Sequence, residues 1–279
     1  MTATTQRPPA PQGGLRQSVV DGLIITGRNL RRIPRIPELA IFAIIQSIMF
    51  VLLFAFVFGG AIAIPGFPDP NAYNEYLLPG IFVQTIVFAA ATVAIGMGDD
   101  INKGIIDRFR SLPMSRSAVL TGRTTSEVVY NAGILIVLML AGLAVGWRVH
   151  TDLVSFLAGV ALLLAFAYAM AWLGVWLGVI VPTVEVAQQV AFTVLFPITF
   201  ISGVFVPINT MPSWLQPIAE WNPVTTLASS LRILWGNPNP QVGDAFPTQN
   251  PMLVTVIWIV VFIVVFGPLG VRRYRNMSR

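Results

Sequence analysis

The side chains able to do chemistry are few, and most of them stand together between Asp99 and Glu127. That run holds Asp99, Asp100, Lys103, Asp107, Arg108, Arg110, Arg116, Arg123 and Glu127, set between two strongly apolar stretches. Interleaved carboxylates and cations of this kind suit recognition of another protein. Lys103 is the only lysine, and its neighbours Asn102 and Gly104 exclude a Gly-x-x-x-x-Gly-Lys-[Ser/Thr] loop for ATP phosphates. His150, beside Arg148 and Asp152, is the only histidine, so no His-x-x-x-His metal motif exists; without cysteine there is no thiolate metal site or disulfide. A serine protease would need His150 beside a membrane-embedded serine such as Ser202, and no local motif supports that pairing. The sequence therefore predicts no catalytic residue and no metal ligand. It describes a docking surface without an engine of its own.

The elements that position this run are set by composition. Of the 279 residues 55% are hydrophobic and only 10% charged, too few charges to solvate a globule of this size. The solvent for most of the chain is lipid, and a bilayer crossing needs about 20 apolar residues. Six segments qualify: Leu39 to Gly59, Leu77 to Met97, Val128 to Gly146, Leu153 to Val181, Val186 to Val206 and Met252 to Val271. Only Pro182-Thr183-Val184-Glu185 separates the fourth from the fifth, which reads as a tight hairpin near an interface. The spans hold no carboxylate or cation near mid-membrane, their strongest polar groups being Gln46 and Gln84. This disfavours a proton- or sodium-coupled carrier, and neither a charged ring nor a carbonyl filter marks an ion channel.

Fifteen of the 17 basic residues, all but Arg148 and Arg232, fall in the N-terminal arm, the Asp99–Glu127 loop and the C-terminal tail. Basic residues near span ends stay inside, so both termini are expected in the cytoplasm, with the chain multi-pass in a membrane. The net charge of +5 then reflects topology; split over three segments without interleaved aromatics, it is a poor footprint for nucleic acid. Residues 1–14, rich in Pro, Gln, Thr and Gly, read as a disordered leader, and the first apolar run lacks an evident cleavage site for a removed signal peptide. From Leu15 to Ile33 an amphipathic helix is expected. At 100° per residue Leu15, Val19, Leu23, Leu30 and Ile33 share an arc of about 80°, with Arg28, Arg31 and Arg32 opposite. Pro34 and Pro37 then turn the chain into the first span, which divides it into a leader (1–14), an interfacial helix (15–36) and a membrane domain (37–279).

Within the charged run Ile101, Ile105, Phe109 and Leu112 recur at helical spacing, predicting a short amphipathic helix stopped by Pro113. Ser115 can cap the next helix, which carries Arg116, Arg123 and Glu127 into the third span. Topology alone explains the charges; the apolar stripe calls for lipid or a partner. Between Ser202 and Pro251, Phe205-Val206-Pro207, Trp214, Trp221-Asn222-Pro223-Val224 and Trp235 are too apolar for a solvated loop. Tryptophan favours the headgroup boundary, so short helices in the outer leaflet are expected, which either close a pathway or cap the fold. Phe82, Phe88, Phe192, Phe196 and Phe200, with Gln84 to orient a ligand, could line an apolar path or simply pack helices.

The motifs Asp107-Arg108-Phe109-Arg110-Ser111-Leu112-Pro113-Met114-Ser115-Arg116, Leu78-Pro79-Gly80, Ser202-Gly203-Val204-Phe205-Val206-Pro207, Met211-Pro212 and Trp221-Asn222-Pro223-Val224 occur together and in order. In them the chain resembles the membrane subunits of type-2 ABC exporters, specifically the daunorubicin/doxorubicin-resistance permease family. The resemblance implies an all-α permease of six membrane helices, paired with a second permease subunit, a homodimer or a paralogue, and with two separate ATP-binding cassette subunits that carry ATP and Mg. It implies that the helix at Leu15 to Ile33 is an elbow, that Asp99 to Pro113 is a coupling helix on the ATPase, and that the outer Trp-rich loop is a partly re-entrant lid. Phe205, Pro207, Trp214, Trp221, Asn222 and Pro223 are then the outer gate, and the cargo is a hydrophobic drug, lipid or glycolipid moved outward. The other reading is a membrane scaffold or sensor whose cytosolic knob recruits a partner that is not an ATPase.

Overall fold

The computed structural model describes residues 15–30, 37–58, 66–67, 72–104, 116–240 and 244–276. Their regular structure is helical: α1 (Leu15–Leu30), α2 (Pro37–Leu53, continued by a π-turn over Phe54–Phe58), α3 (Ala72–Asn102), α4 (Arg116–Val145), α5 (Leu153–Ile180), α6 (Val184–Phe200), α7 (Gln216–Glu220), α8 (Pro223–Trp235), α9 (Phe246–Gln249) and α10 (Pro251–Asn276). Four of these are long and apolar enough to cross a membrane, over Ala72–Asn102, Val119–Val145, Leu153–Ile180 and Pro251–Tyr274. Two expected spans are shorter. The first passes into the π-turn at Phe54, and the fifth ends at Phe200, three residues after Pro197, so Ile201 to Val206 form turns instead of its last two turns of helix.

Helix ends follow local chemistry. Asp152 caps α5, accepting from the backbone N–H of Val154 and Ser155, and Thr183 caps α6 after the Pro182 break. Gly104, at φ +63°, lies in the left-handed region just past the end of α3. Of the expected stripe only Ile101 is described: it belongs to the 31-residue α3, which stops at Asn102, and Ile105, Phe109 and Leu112 lie outside the described residues.

α3 is the central post. In its apolar window 72% of residues are buried against protein, compared with 28%, 33% and 17% for the windows of α4, α5 and α10. The closest packing is on α5, whose Gly174 and Gly178, one turn apart, face Ala90 and Ala94 of α3. A Cβ at Gly174 would overlap the Ala90 carbonyl oxygen, and one at Gly178 would lie 2.6 Å from that of Ala94. Small residues at i and i+4 let two helix backbones approach closely, which is how helices associate where lipid removes the hydrophobic drive.

Candidate functional site

At one end of the post three helices meet. α1 lays Gly22, Ile25 and Thr26 on α4 at Gly122, where a Cβ would sit 2.7 Å from the Gly22 carbonyl oxygen and 2.8 Å from Ile25 Cβ. Thr26 Oγ1 lies 3.0 Å from the Gly122 carbonyl oxygen, and Asn29 Nδ2 donates to Ser126 Oγ at 3.2 Å. Beside this contact Arg123 of α4 forms an ion pair with Asp100 of α3, in space left by Gly96; the two side chains remain 20% and 12% exposed. The pair joins the helices that lead into and out of residues 105–115, and with Ile25, Arg28, Asn29, Met97 and Val119 it lines a small recess. The geometry fixes helix positions.

The expected coupling residues are thus distributed. Asp99 and Lys103 pair at 2.8 Å on the exposed last turn of α3. Asp100 and Arg123 turn toward each other. Arg116 opens α4, and Glu127, expected just ahead of the third span, lies inside the apolar stretch Val119–Val145, where its Oε1 accepts from Asn131 Nδ2 at 3.3 Å. Asp107, Arg108, Phe109, Arg110, Leu112 and Pro113 lie outside the described residues, as do Arg31 and Arg32 of the expected elbow. Leu15 and Val19 fall within α1, while Leu23 is 62% exposed and Arg28, also exposed, borders the recess beside the Asp100–Arg123 pair. Sequence periodicity missed the face by which α1 packs on protein, because Gly22, Thr26 and Asn29 are small or polar.

At the opposite end a seat is built around α8. Asn222 caps two helices at once: its Oδ1 accepts from Val224 N–H at 2.9 Å, and its Nδ2 donates to the carbonyls of Ile198 and Ile201 at 2.7 and 2.6 Å at the end of α6. Pro223 follows at the first helical position, where its missing N–H costs nothing. Trp235, expected at the headgroup boundary with Trp214 and Trp221, is instead fully buried. It packs edge-on to Trp147 and Phe82, over Gly159, and the left-handed Gly236 turns the chain away behind it. Trp147 Nε1 donates to Asn237 Oδ1 at 2.9 Å, and His150 on the α4–α5 loop lies 2.8 Å from Glu75 of α3. On that loop Asp152 is held below the usual carboxylate range, first by the Ser155 hydroxyl and then by the N–H groups it caps. Trp214 and Trp221 are 70% and 52% exposed, and Pro207 is buried.

Arg232, read from the sequence as an ordinary outer-loop arginine, is 0% exposed in this seat. Its Nε donates to the Tyr76 carbonyl at 2.9 Å, its Nη1 to that of Gly203 at 2.9 Å and its Nη2 to that of Val204 at 3.1 Å, with Cζ 3.5 Å from the centre of the Tyr76 ring. Its place in the apolar Leu231-Arg232-Ile233-Leu234-Trp235 was the one available signal.

Between the two ends runs a chain of rings. Phe88 of α3 meets Phe192 and Phe196 of α6 at 5.7 and 6.5 Å; Phe196 stacks on Phe200 at 4.2 Å, Phe200 meets Phe205 at 5.3 Å, and Phe205 stacks on Phe54 of the π-turn at 4.5 Å. Four of the five expected path phenylalanines are brought together. Phe82 is apart, enclosed with Trp147 and Trp235, and Gln84 is buried on α3.

Residues 22–235 match the family model described as ABC-2 type transporter. Among curated proteins the chain is similar to the daunorubicin resistance ABC transporter permease protein DrrB1 of Streptomyces coeruleorubidus, 29% identical over 251 residues, which cover 90% of this chain and 84% of that protein. It is 26% identical over 275 residues to a probable doxorubicin resistance ABC transporter permease protein, DrrC, of Mycobacterium tuberculosis, with coverages of 98% and 94%. A putative transport permease, ycf38, of Porphyra purpurea is 25% identical over 204 residues, 73% of this chain and 69% of that protein. With three-quarters of its length under that model, and its small-residue helix packing and apolar helices in keeping with it, the chain belongs to the ABC-2 type transporter family.

Proposed function

We propose that this chain is the membrane-spanning subunit of an ATP-driven exporter that moves a hydrophobic drug, lipid or glycolipid out of the cytoplasm or the inner leaflet of a bacterial plasma membrane. ATP and Mg are bound by separate ATPase subunits, and a second permease subunit, identical or paralogous, completes the path. All six apolar helices cross the membrane with both termini in the cytoplasm, α2 and α6 reaching full thickness through the π-turn and the turns that follow Phe200. The observation that carries this reading is the match over residues 22–235 together with relatives named as drug-resistance permeases.

In this reading residues 105–115 rest on the ATPase. Movement there enters the membrane through the Asp100–Arg123 pair, which couples the flanking helices to each other and, through α1, to the inner leaflet. Cargo passes along the rings from Phe88 to Phe205. The test is co-expression with a candidate ATP-binding cassette subunit from the same genome and reconstitution of the purified complex. The chain alone should hydrolyse no ATP, and reversing charge at Asp107 or Arg110 should reduce ATPase co-purification while membrane insertion persists. Unchanged co-purification and transport in both variants refute the docking assignment. Transport that continues without ATP and collapses with the proton gradient refutes the ATP-driven reading.

A further inference from the structure

Arg232 is a buried cation whose compensation comes from main-chain dipoles. Its guanidinium donates to three carbonyls, two from the turn after α6 (Gly203, Val204) and one from the first turns of α3 (Tyr76), and among the described residues no carboxylate forms an ion pair with it. The same three pieces of chain are tied a second time around it. Tyr76 Oη donates to the Gly203 carbonyl at 2.6 Å, Tyr73 Oη to that of Phe205 at 3.4 Å, and Gly203 N–H donates to Thr225 Oγ1 of α8 at 3.0 Å. Gly80 brings the backbones themselves together, since a Cβ there would lie 2.8 Å from Val204 Cγ1 and 2.9 Å from its carbonyl oxygen.

A charge removed from water is tolerated only while its partners stay in place, and a guanidinium stripped of them in an apolar setting is far costlier than a lost neutral hydrogen bond. The ring of Tyr76 adds a face-on attraction that strengthens with desolvation. Separating α8, the 201–206 turn or the head of α3 from the other two would strand Arg232. We propose that Arg232 is a positioning residue that welds these three pieces into one rigid unit, so that the outer segment does not swing open at 201–206 during the cycle but moves as part of α3. Its meaning for transport rests on the function proposed above; the weld itself does not.

The experiment is hydrogen–deuterium exchange read by mass spectrometry on the purified chain in lipid nanodiscs, without ATPase, comparing wild type with Arg232→Met, Arg232→Lys and Tyr76→Phe. Peptides covering 201–222 should exchange at least tenfold faster in Arg232→Met, while peptides of α5 stay at the wild-type rate. Arg232→Lys should fall between, because an ammonium keeps the charge but cannot fork to three carbonyls. If Arg232→Met is not recovered folded, the graded loosening of the same peptides in Arg232→Lys and Tyr76→Phe carries the test. Wild-type exchange over 201–222 in every variant that folds would overturn the weld, as would loosening spread equally over α5. Because no nucleotide or cargo is present, a failure here is separable from a failure of the transport assignment.

Discussion

Replacing Gly178 by alanine adds one methyl group to the close α3–α5 seam and tests whether helix proximity holds α5 to the central post. The new Cβ would lie 2.6 Å from the Ala94 carbonyl oxygen and 2.7 Å from Met97 Cβ, where ordinary contact begins at 3.4 Å. The oxygen is main chain and cannot rotate aside, so the helices must part by several tenths of an ångström along a shared length. Overpacking of this kind costs about 1–3 kcal/mol. Alanine regains about 1 kcal/mol of helix propensity over glycine, which leaves a net loss of about 0–2 kcal/mol. Gly133→Ala on α4 is the internal control: nothing stands within 4 Å of its Cβ position, so only the propensity gain remains and the variant should match or exceed wild type. The assay is reversible unfolding in mixed micelles by titration with a denaturing detergent, followed by circular dichroism. Gly174→Ala should behave like Gly178→Ala, and the pair should be non-additive because both push on the same seam. If Gly178→Ala proves as stable as Gly133→Ala, the close α3–α5 contact is not what secures this interface.

Removing one member of the inner ion pair, by Asp100→Asn, should destabilise by about 1–3 kcal/mol, less than a fully buried pair because both side chains reach some solvent; the exchange Asp100→Arg with Arg123→Asp should recover much of it in the same unfolding assay, and no recovery would show that the pairing is not the source. Asp152 has a carboxyl pKa lowered by its capping bonds, so its contribution is whole above the unfolded value near 3.8 and fades as pH falls through that range. Wild type should therefore lose melting temperature more steeply than Asp152→Asn between pH 6 and about pH 3, and parallel curves would refute the cap's role. Trp214 and Trp221 should be quenched by lipids brominated near the headgroup, and Trp147 and Trp235 should not; spectra of single Trp→Phe variants separate them, and stronger quenching of Trp214 by aqueous iodide would place it in water.

The apolar segments were legible because lipid sets a length and a composition that a sequence displays directly: the fourth expected span, Leu153 to Val181, differs from α5 by one residue. The Asn222-Pro223 start of α8 is also written locally, as a cap followed by a proline. What escaped depends on partners distant in sequence. Arg232 reads as a solvated charge until Tyr76, 156 residues earlier, supplies a carbonyl and a ring. Trp235 reads as an interfacial aromatic until Gly159 opens a slot for it. The end of α3 at Asn102 escaped for a local reason, since Gly104 can adopt the left-handed conformation or not, and composition does not say which.

The unbroken run of α3 has a mechanical meaning. At 1.5 Å per residue its 31 residues make a rod about 46 Å long. A tilt of about 5° around the Ala90–Ala94 contact carries the Ala72 end about 2.6 Å and the Asn102 end about 1.3 Å in opposite directions, comparable to the helix shifts seen at switching interfaces. Asp100 sits near one tip of that rod and Tyr76 near the other. Leverage of this sort needs no chain of rearranging side chains between the two faces, only a pivot, and the glycines of α5 pressed on Ala90 and Ala94 supply one.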